Sequence, residues 1–222
     1  MNILVIAPHP DDETLGCGGT ILKYKDKGHR LYWLILTRMS ESVGFSAAAI
    51  RRRRRQIRSV SRAYGFRKIY ELDFEATRLD EYPLAGVVRK ISEVVNEVEP
   101  AIVFLPNRSD IHSDHRQAFS AGISCTKSFR YPFIKKILMY EVPSETDAVP
   151  AANKKGFCPN AFVDISSYMK KKISIMKIYK GELQKRPLPR SARAIEALAA
   201  LRGAVVGCDF AESFTVIRDL ML

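Results

Sequence analysis

The strongest constraint on this chain is an alternation. Short apolar runs rich in β-branched residues take turns with longer stretches of helical periodicity. Ile3–Ala7, Arg30–Thr37, Lys68–Phe74 and Ala101–Leu105 read as strands. Between them, Thr20–Lys27, Ala47–Tyr64 and Leu84–Val98 read as helices, stopped at Gly28, Gly65 and Pro100. In the last of these, Leu84, Val87, Val88, Ile91, Val94, Val95 and Val98 recur at helical spacing. A β-α-β-α-β-α-β order requires right-handed crossovers. The predicted fold class is therefore α/β, Rossmann-like, a mostly parallel sheet with helices on both faces. Further on, His115–Ser128, Ser167–Leu183 and Ser191–Val205 read as helices. Ile137–Val142, Ala161–Ile165 and Phe214–Ile217 read as strands, and Pro143–Pro150 and Arg186–Pro189 as loops. With no internal repeat and no linker, residues 1–222 are expected to form a single domain.

Composition narrows the setting. At 46% hydrophobic and 27% charged residues, a disordered or low-complexity chain is excluded. Cys17, Cys125, Cys158 and Cys208 form no Cys-x-x-Cys pair, so neither a disulfide framework nor a cysteine-rich zinc site is expected. That usage fits a reducing cytoplasm. Apolar stretches fall far short of the ~20 residues that span a bilayer, and His9, Asp11, Asp12 and Glu13 end the first apolar run too early for a signal peptide. The 36 Lys and Arg against 24 Asp and Glu give a net charge of +12, which favours acidic partners without choosing among them.

In open α/β sheets, ligands bind beyond the C-terminal ends of the strands. Two such ends carry unusual residues. The first strand runs into Pro8-His9-Pro10-Asp11-Asp12-Glu13, and the fourth into Pro106 through His115. Three of the four histidines lie in these two loops. An isolated His-x-x-Asp is ordinarily a solvated turn, but two polar clusters at strand C-termini point to a site. A catalytic zinc takes three N/O ligands and leaves a position for water. His9, Asp12 and His115 meet that count. Asp11 then lies beside the water as a general base. His112, as an imidazolium, could stabilise an oxyanion or protonate a leaving amine. Asp110 and Asp114 are natural acceptors for the ligands' ring N–H groups.

These motifs resemble the LmbE-like / PIG-L family of zinc-dependent N-deacetylases. Its (Ala/Pro)-His-Pro-Asp-Asp-Glu motif is matched by Pro8–Glu13, and the glycine-rich continuation by Thr14–Thr20. His-x-Asp-His is matched by His112–His115, with Ser113 where proline is common. A weaker C-terminal signature is echoed by Arg202-Gly203, Gly207 and Ala211-Glu212-Ser213-Phe214. The resemblance implies removal of an acetyl group from an amino sugar. It places zinc, or another divalent ion such as Fe2+, on His9, Asp12 and His115, with Asp11 as base and His112 assisting. It also implies a substrate-binding arginine on the helix after the second strand, here Arg51 or Arg55, and a substrate contact near Tyr140 and Glu141.

The expected partner is a small-molecule or glycolipid sugar, anionic in character. Arg51, Arg55, Arg58 and Arg62 form a stripe at helical spacing within a basic run. Two meanings stay open for it: a solvated face, or recognition of an anion such as a nucleotide diphosphate, a glycolipid phosphate or an acidic membrane surface. No nucleic-acid motif or aromatic platform accompanies it, so no nucleic-acid partner is expected, although a non-enzymatic basic module is the rival from another class. An amidase acting on another N-acyl substrate is a further alternative, and an oligomer is compatible with the sequence. Gly16-Cys17-Gly18-Gly19 lacks the phosphate-loop patterns and suggests close packing of a helix instead, with Cys17 in the core. His29 reads as a surface histidine. Neither Gly-x-Ser-x-Gly nor His-Glu-x-x-His occurs, which excludes a serine hydrolase of that type and a zincin.

Overall fold

In the computed structural model, which describes residues 1–149 and 156–220, each apolar run becomes a strand. The elements are β1 (Asn2–Ala7), α1 (Asp12–Asp26), β2 (Arg30–Arg38), α2 (Ala47–Tyr64), β3 (Lys68–Glu75), α3 (Leu84–Val98), β4 (Ile102–Pro106), α4 (Ser113–Ser124), β5 (Lys136–Tyr140), β6 (Ala161–Asp164), α5 (Met169–Met176), α6 (Ala192–Val206) and β7 (Ala211–Asp219). The strands form one sheet in the order β3-β2-β1-β4-β5-β7-β6. β1 through β5 are parallel neighbours, and β7 runs antiparallel between β5 and β6. The mostly parallel α/β sheet read from the sequence is what forms. Alternate residues of β1 serve different cores: Ile3, Val5 and Ala7 pack with α1, α2, α5 and α6, whereas Leu4 and Ile6 pack with α3 and α4. Burial on both faces is why the parallel strands read as continuous apolar runs.

The helices differ from expectation where tertiary contacts override periodicity. α1 begins at Asp12, eight residues before the expected Thr20. Every residue from Asp12 to Leu22 is buried, so no polar face marks the helix in the sequence. Its glycines let it approach the sheet: a Cβ on Gly16 would lie 2.3 Å from Cδ2 of Tyr140. The helix breaks at Cys17, whose φ of −143° is not helical. Amides freed beyond the break, Gly19 and Thr20, donate to the Glu212 carboxylate at 2.8 and 2.7 Å. Lys172 Nζ bonds the Leu15 carbonyl at 2.9 Å and Glu212 at 2.7 Å. The buried Lys172–Glu212 pair thus caps both halves of a broken helix. α5 stops at Met176 rather than Leu183, and the turns that follow bring Tyr179 and Glu182 toward the first loop. Residues 143–149 of the expected loop contain no helix or strand, and residue 150 lies outside the described residues. Among the described residues, no helix is long and apolar enough to cross a membrane.

Candidate active site

The sheet order places β1 beside β4, with β2 and β3 on one side and β5 on the other. Chain connections diverge here, which opens a crevice at the strand C-termini. The loops after β1 and β4 meet in it. His9 Nδ1 lies 3.5 Å from Asp12 Oδ2, and His115 Nε2 lies 3.4 Å from the same oxygen. One donor atom from each of the three residues falls within 4.8 Å of the others, the spacing of a metal-ligand group. The opposite edges of both rings are fixed by carboxylates. His9 Nε2 donates to Asp114 at 2.9 Å, and His115 Nδ1 to Asp110 at 2.8 Å. Asp114 also accepts the Thr77 and Leu79 amides, and Asp110 accepts Asn107 Nδ2 and the Thr146 hydroxyl. These bonds orient each imidazole so that its other nitrogen faces Asp12.

Elementary electrostatics tests whether a cation fits. His115 Nε2 is buried without a hydrogen-bond partner. Burial opposes a charge on both rings, yet the carboxylates outweigh it: Asp114 and Asp12 raise His9 to about 9, and Asp12 and Asp110 raise His115 to about 10. The cluster therefore holds positive charge strongly. A divalent ion would displace the inward protons and satisfy the orphaned nitrogen. The donor set suits such an ion.

Asp11 takes a different place from its neighbour. Its φ of 135° is rare for a non-glycine residue and turns its carboxylate away from Asp12 toward Arg190. Arg190 Nη1 lies 3.0 Å from Asp11 Oδ2, while its other nitrogens bond Ser144 and Glu145. Burial pushes the Asp11 carboxyl well up, Asp12 adds to this, and Arg190 opposes it. The Asp11 amide donates to Glu13 Oε2 at 3.0 Å, and Glu13 Oε1 accepts from Thr14 and Tyr179. Thr77 and Ser144 also have positive φ, so among the described residues three of the four non-glycine residues with such a φ border the site. Strain of this kind persists only where surrounding structure enforces it.

His112 caps α4, its Nδ1 accepting the Asp114 amide at 3.1 Å. That bond leaves Nε2 to carry the ring proton. Burial, reinforced by the charge on His9, lowers His112 to about 4. The imidazolium expected from the sequence therefore gives way to a neutral ring that donates one N–H.

A cavity of about 540 Å³ opens from His9, Asp11 and His112 toward α2 and the ends of β2 and β3. The face of α2 lining it is Ile50, Arg53, Arg54, Ile57 and Arg58. Arg51 and Arg55 are exposed and do not line it. Tyr140 does not line it either; it is fully buried and donates its hydroxyl to the Ile6 carbonyl at 2.8 Å. Glu141 faces away, bound by Arg202 at 2.7 and 2.8 Å and by Ser213 at 2.6 Å. The substrate contacts carried over to these four residues have no support in this geometry.

Comparison with known proteins places the chain. The PIG-L family model, described as GlcNAc-PI de-N-acetylase, matches residues 4–126. Diacetylchitobiose deacetylase of Thermococcus kodakarensis is 31% identical, over 99% of this chain and 84% of its own. The chain belongs to the PIG-L family. Another relative is the probable N-acetyl-alpha-D-glucosaminyl L-malate deacetylase 2 of Bacillus cereus, 30% identical over 55% of this chain and 59% of its own. The crystal structure of the conserved protein TT1542 from Thermus thermophilus shares the fold, with a TM-score of 0.80 at 24% identity, over 99% of this chain and 96% of that one. This PIG-L chain is accordingly an N-deacetylase.

Sequence reasoning alone missed three residues of the PIG-L site. Arg190 stands 179 positions from Asp11 in a loop. Glu182 lies in turns expected to be helix, and it pairs with Arg53. Arg53, in turn, donates to the Pro10 carbonyl at 2.8 Å and stacks over Tyr179. Within the basic run, only its burial distinguishes it, and that is set by α2's orientation on the sheet.

Proposed function

We propose that this PIG-L chain is a zinc-dependent hydrolase that removes the acetyl group from an N-acetylglucosamine-type sugar, linked to a nucleotide, a lipid or a small molecule. The observation that carries the reading is the buried, unpartnered His115 Nε2 facing Asp12 and His9, with a carboxylate behind each imidazole. His9, Asp12 and His115 would hold the zinc, which would supply Lewis-acid chemistry toward water and the amide oxygen. Asp11 takes a proton from the attacking water as its oxygen bonds the acetyl carbon. The His112 Nε2–H donates to the oxygen where negative charge develops. Asp11 then passes its proton to the sugar nitrogen as the C–N bond breaks, giving acetate and a free amine. Arg190 fixes the Asp11 carboxylate for both transfers.

The test is acetate release across a panel of N-acetylglucosaminides, with the metal removed by chelation and then restored. Release that stops on chelation and returns with zinc is the expected result. Equal release from the metal-free protein would overturn the metal assignment.

A further inference from the structure

The peptide unit joining Pro10 to Asp11 is held at both of its polar atoms. Its carbonyl accepts from Arg53 Nη1 at 2.8 Å, and its N–H donates to Glu13 Oε2 at 3.0 Å. Beyond Asp11, the next carbonyl is anchored in α1 by the Thr14 and Leu15 amides at 3.0 and 2.9 Å. A torsion between two anchored peptides is imposed by its anchors. Here it is the φ of 135°, outside the regions that residues with a Cβ favour. That torsion sets where the Asp11 Cβ, and with it the carboxylate, points. The two clamps are themselves tied together by the turns after α5. Tyr179 donates its hydroxyl to Glu13 at 2.8 Å, and the Arg53 guanidinium lies over its ring at 5.6 Å. Glu182 pairs with Arg53. Arg53 is buried, whereas Arg51, Arg52, Arg54 and Arg55 around it are exposed. Burying a guanidinium is costly unless it is paired and hydrogen-bonded, and the partners of Arg53 all belong to this frame.

We propose that Arg53 is a positioning residue: with Glu13 it fixes the plane of the Pro10–Asp11 peptide and so aims the Asp11 carboxylate, while Glu182 and Tyr179 hold the two clamps. The role rests on the reading of Asp11 as the base. It differs from that of Arg190, which holds the carboxylate itself. Without Arg53 the Pro10 carbonyl is free to turn, the torsion relaxes, and the carboxylate leaves its line to the water. A misplacement of about 1 Å in such a group can cost ~10²-fold in rate.

Arg53→Gly in the zinc-loaded full chain opens a guanidinium-sized gap beside the cavity that Arg53 lines. The substrate is whichever N-acetylglucosaminide of the panel releases acetate fastest. In this variant kcat should fall about tenfold to a hundredfold, with KM within about twofold and zinc content parental. Millimolar guanidinium, far below denaturing concentrations, should restore much of the lost kcat. Arg52→Gly places the same glycine on the exposed side of α2 and should show neither the loss nor the rescue. Combined with Asp11→Asn, Arg53→Gly should add almost nothing, because both act through one carboxylate. A raised KM with kcat intact makes Arg53 a substrate contact and overturns the role. So do losses that multiply in the double variant, and a kcat that guanidinium leaves unmoved. A second readout needs no turnover. The Asp11 amide proton, donating to a carboxylate, resonates downfield in NMR. It should move upfield in Arg53→Gly and return with guanidinium. Glu182→Gln loosens Arg53 without a glycine in the helix and should move the same signal, so the clamp is decided even where Arg53→Gly does not fold. An unmoved signal in the folded variant overturns it. Parental turnover in Asp11→Asn together with a shifted amide signal would instead remove the base reading and leave the clamp standing.

Discussion

Adjacent aspartates with opposite surroundings divide the work at the residue scale. Asp12 faces two imidazoles, and burial notwithstanding, the His115 and His9 charges hold it well below the usual carboxylate range. Asp11 faces a guanidinium, and burial pushes it up. Asp11→Asn keeps the shape but cannot take a proton, so turnover should drop ~10²–10⁴-fold while zinc stoichiometry stays at the parental level. Near-parental turnover would move the base elsewhere, and loss of zinc would mean that Asp11 is itself a ligand. The cysteines give a second check. Burial pushes the Cys125 thiol up to about 11 from 9.0, and Cys17 also rises through burial. For Cys125, the folded chain keeps a proton that the unfolded chain releases. Its contribution to stability is thus present below pH 9 and lost as pH rises from about 9 to about 11. At pH 8, alkylation of the native protein should label the exposed Cys158 and spare Cys125 and Cys17, as read by mass spectrometry. Labelling of Cys125 as fast as Cys158 would contradict its burial.

Among the elements, α1 carries the greatest functional demand, because its first turn holds Asp12 and Glu13. The break at Cys17 is held from outside by Lys172 and Glu212. A Cβ on Gly16 meets Tyr140, whose ring is anchored through its hydroxyl and cannot move aside without breaking that bond. Overpacking of this kind costs ~1–3 kcal/mol. Gly16→Ala should therefore lower Tm by roughly 2–4 °C for each kcal/mol lost, in spite of alanine's better helix propensity. A Tm equal to or above the parental one would show that α1 and β5 are not in such close contact. The same crowding explains why the start of α1 was hidden. Helical periodicity needs one polar face, and a helix buried on all sides has none.

Across the whole molecule, metal binding should appear as stability. A ligand at a hundredfold excess over its Kd stabilises the native state by ~2.7 kcal/mol. Calorimetry should show Tm falling by roughly 5–10 °C on chelation and recovering with zinc, given the ~2–4 °C per kcal/mol expected for a chain of this size. His115→Ala should abolish that response, and a full zinc-dependent shift in this variant would remove His115 from the ligand set. What the sequence determined by itself was local. Buried strands, crossover order and the His-Pro-Asp-Asp-Glu and His-x-Asp-His turns are written in consecutive residues, and the parallel sheet and the ligand candidates follow from them. Tertiary structure alone decided which arginines face the cavity. A run of five basic residues points in all directions around a helix, and only the docking of Ile57, Val60 and Tyr64 against the sheet buries Arg53 and sets the exposed Arg54 and Arg58 along the cavity's rim. It likewise decided that Arg190 reaches Asp11, since a contact between residues 179 positions apart leaves no periodic trace in either segment. Tyr140 and Glu141 became a core anchor and a buried ion-pair acceptor for the same reason: the face a strand residue presents depends on what the sheet packs against.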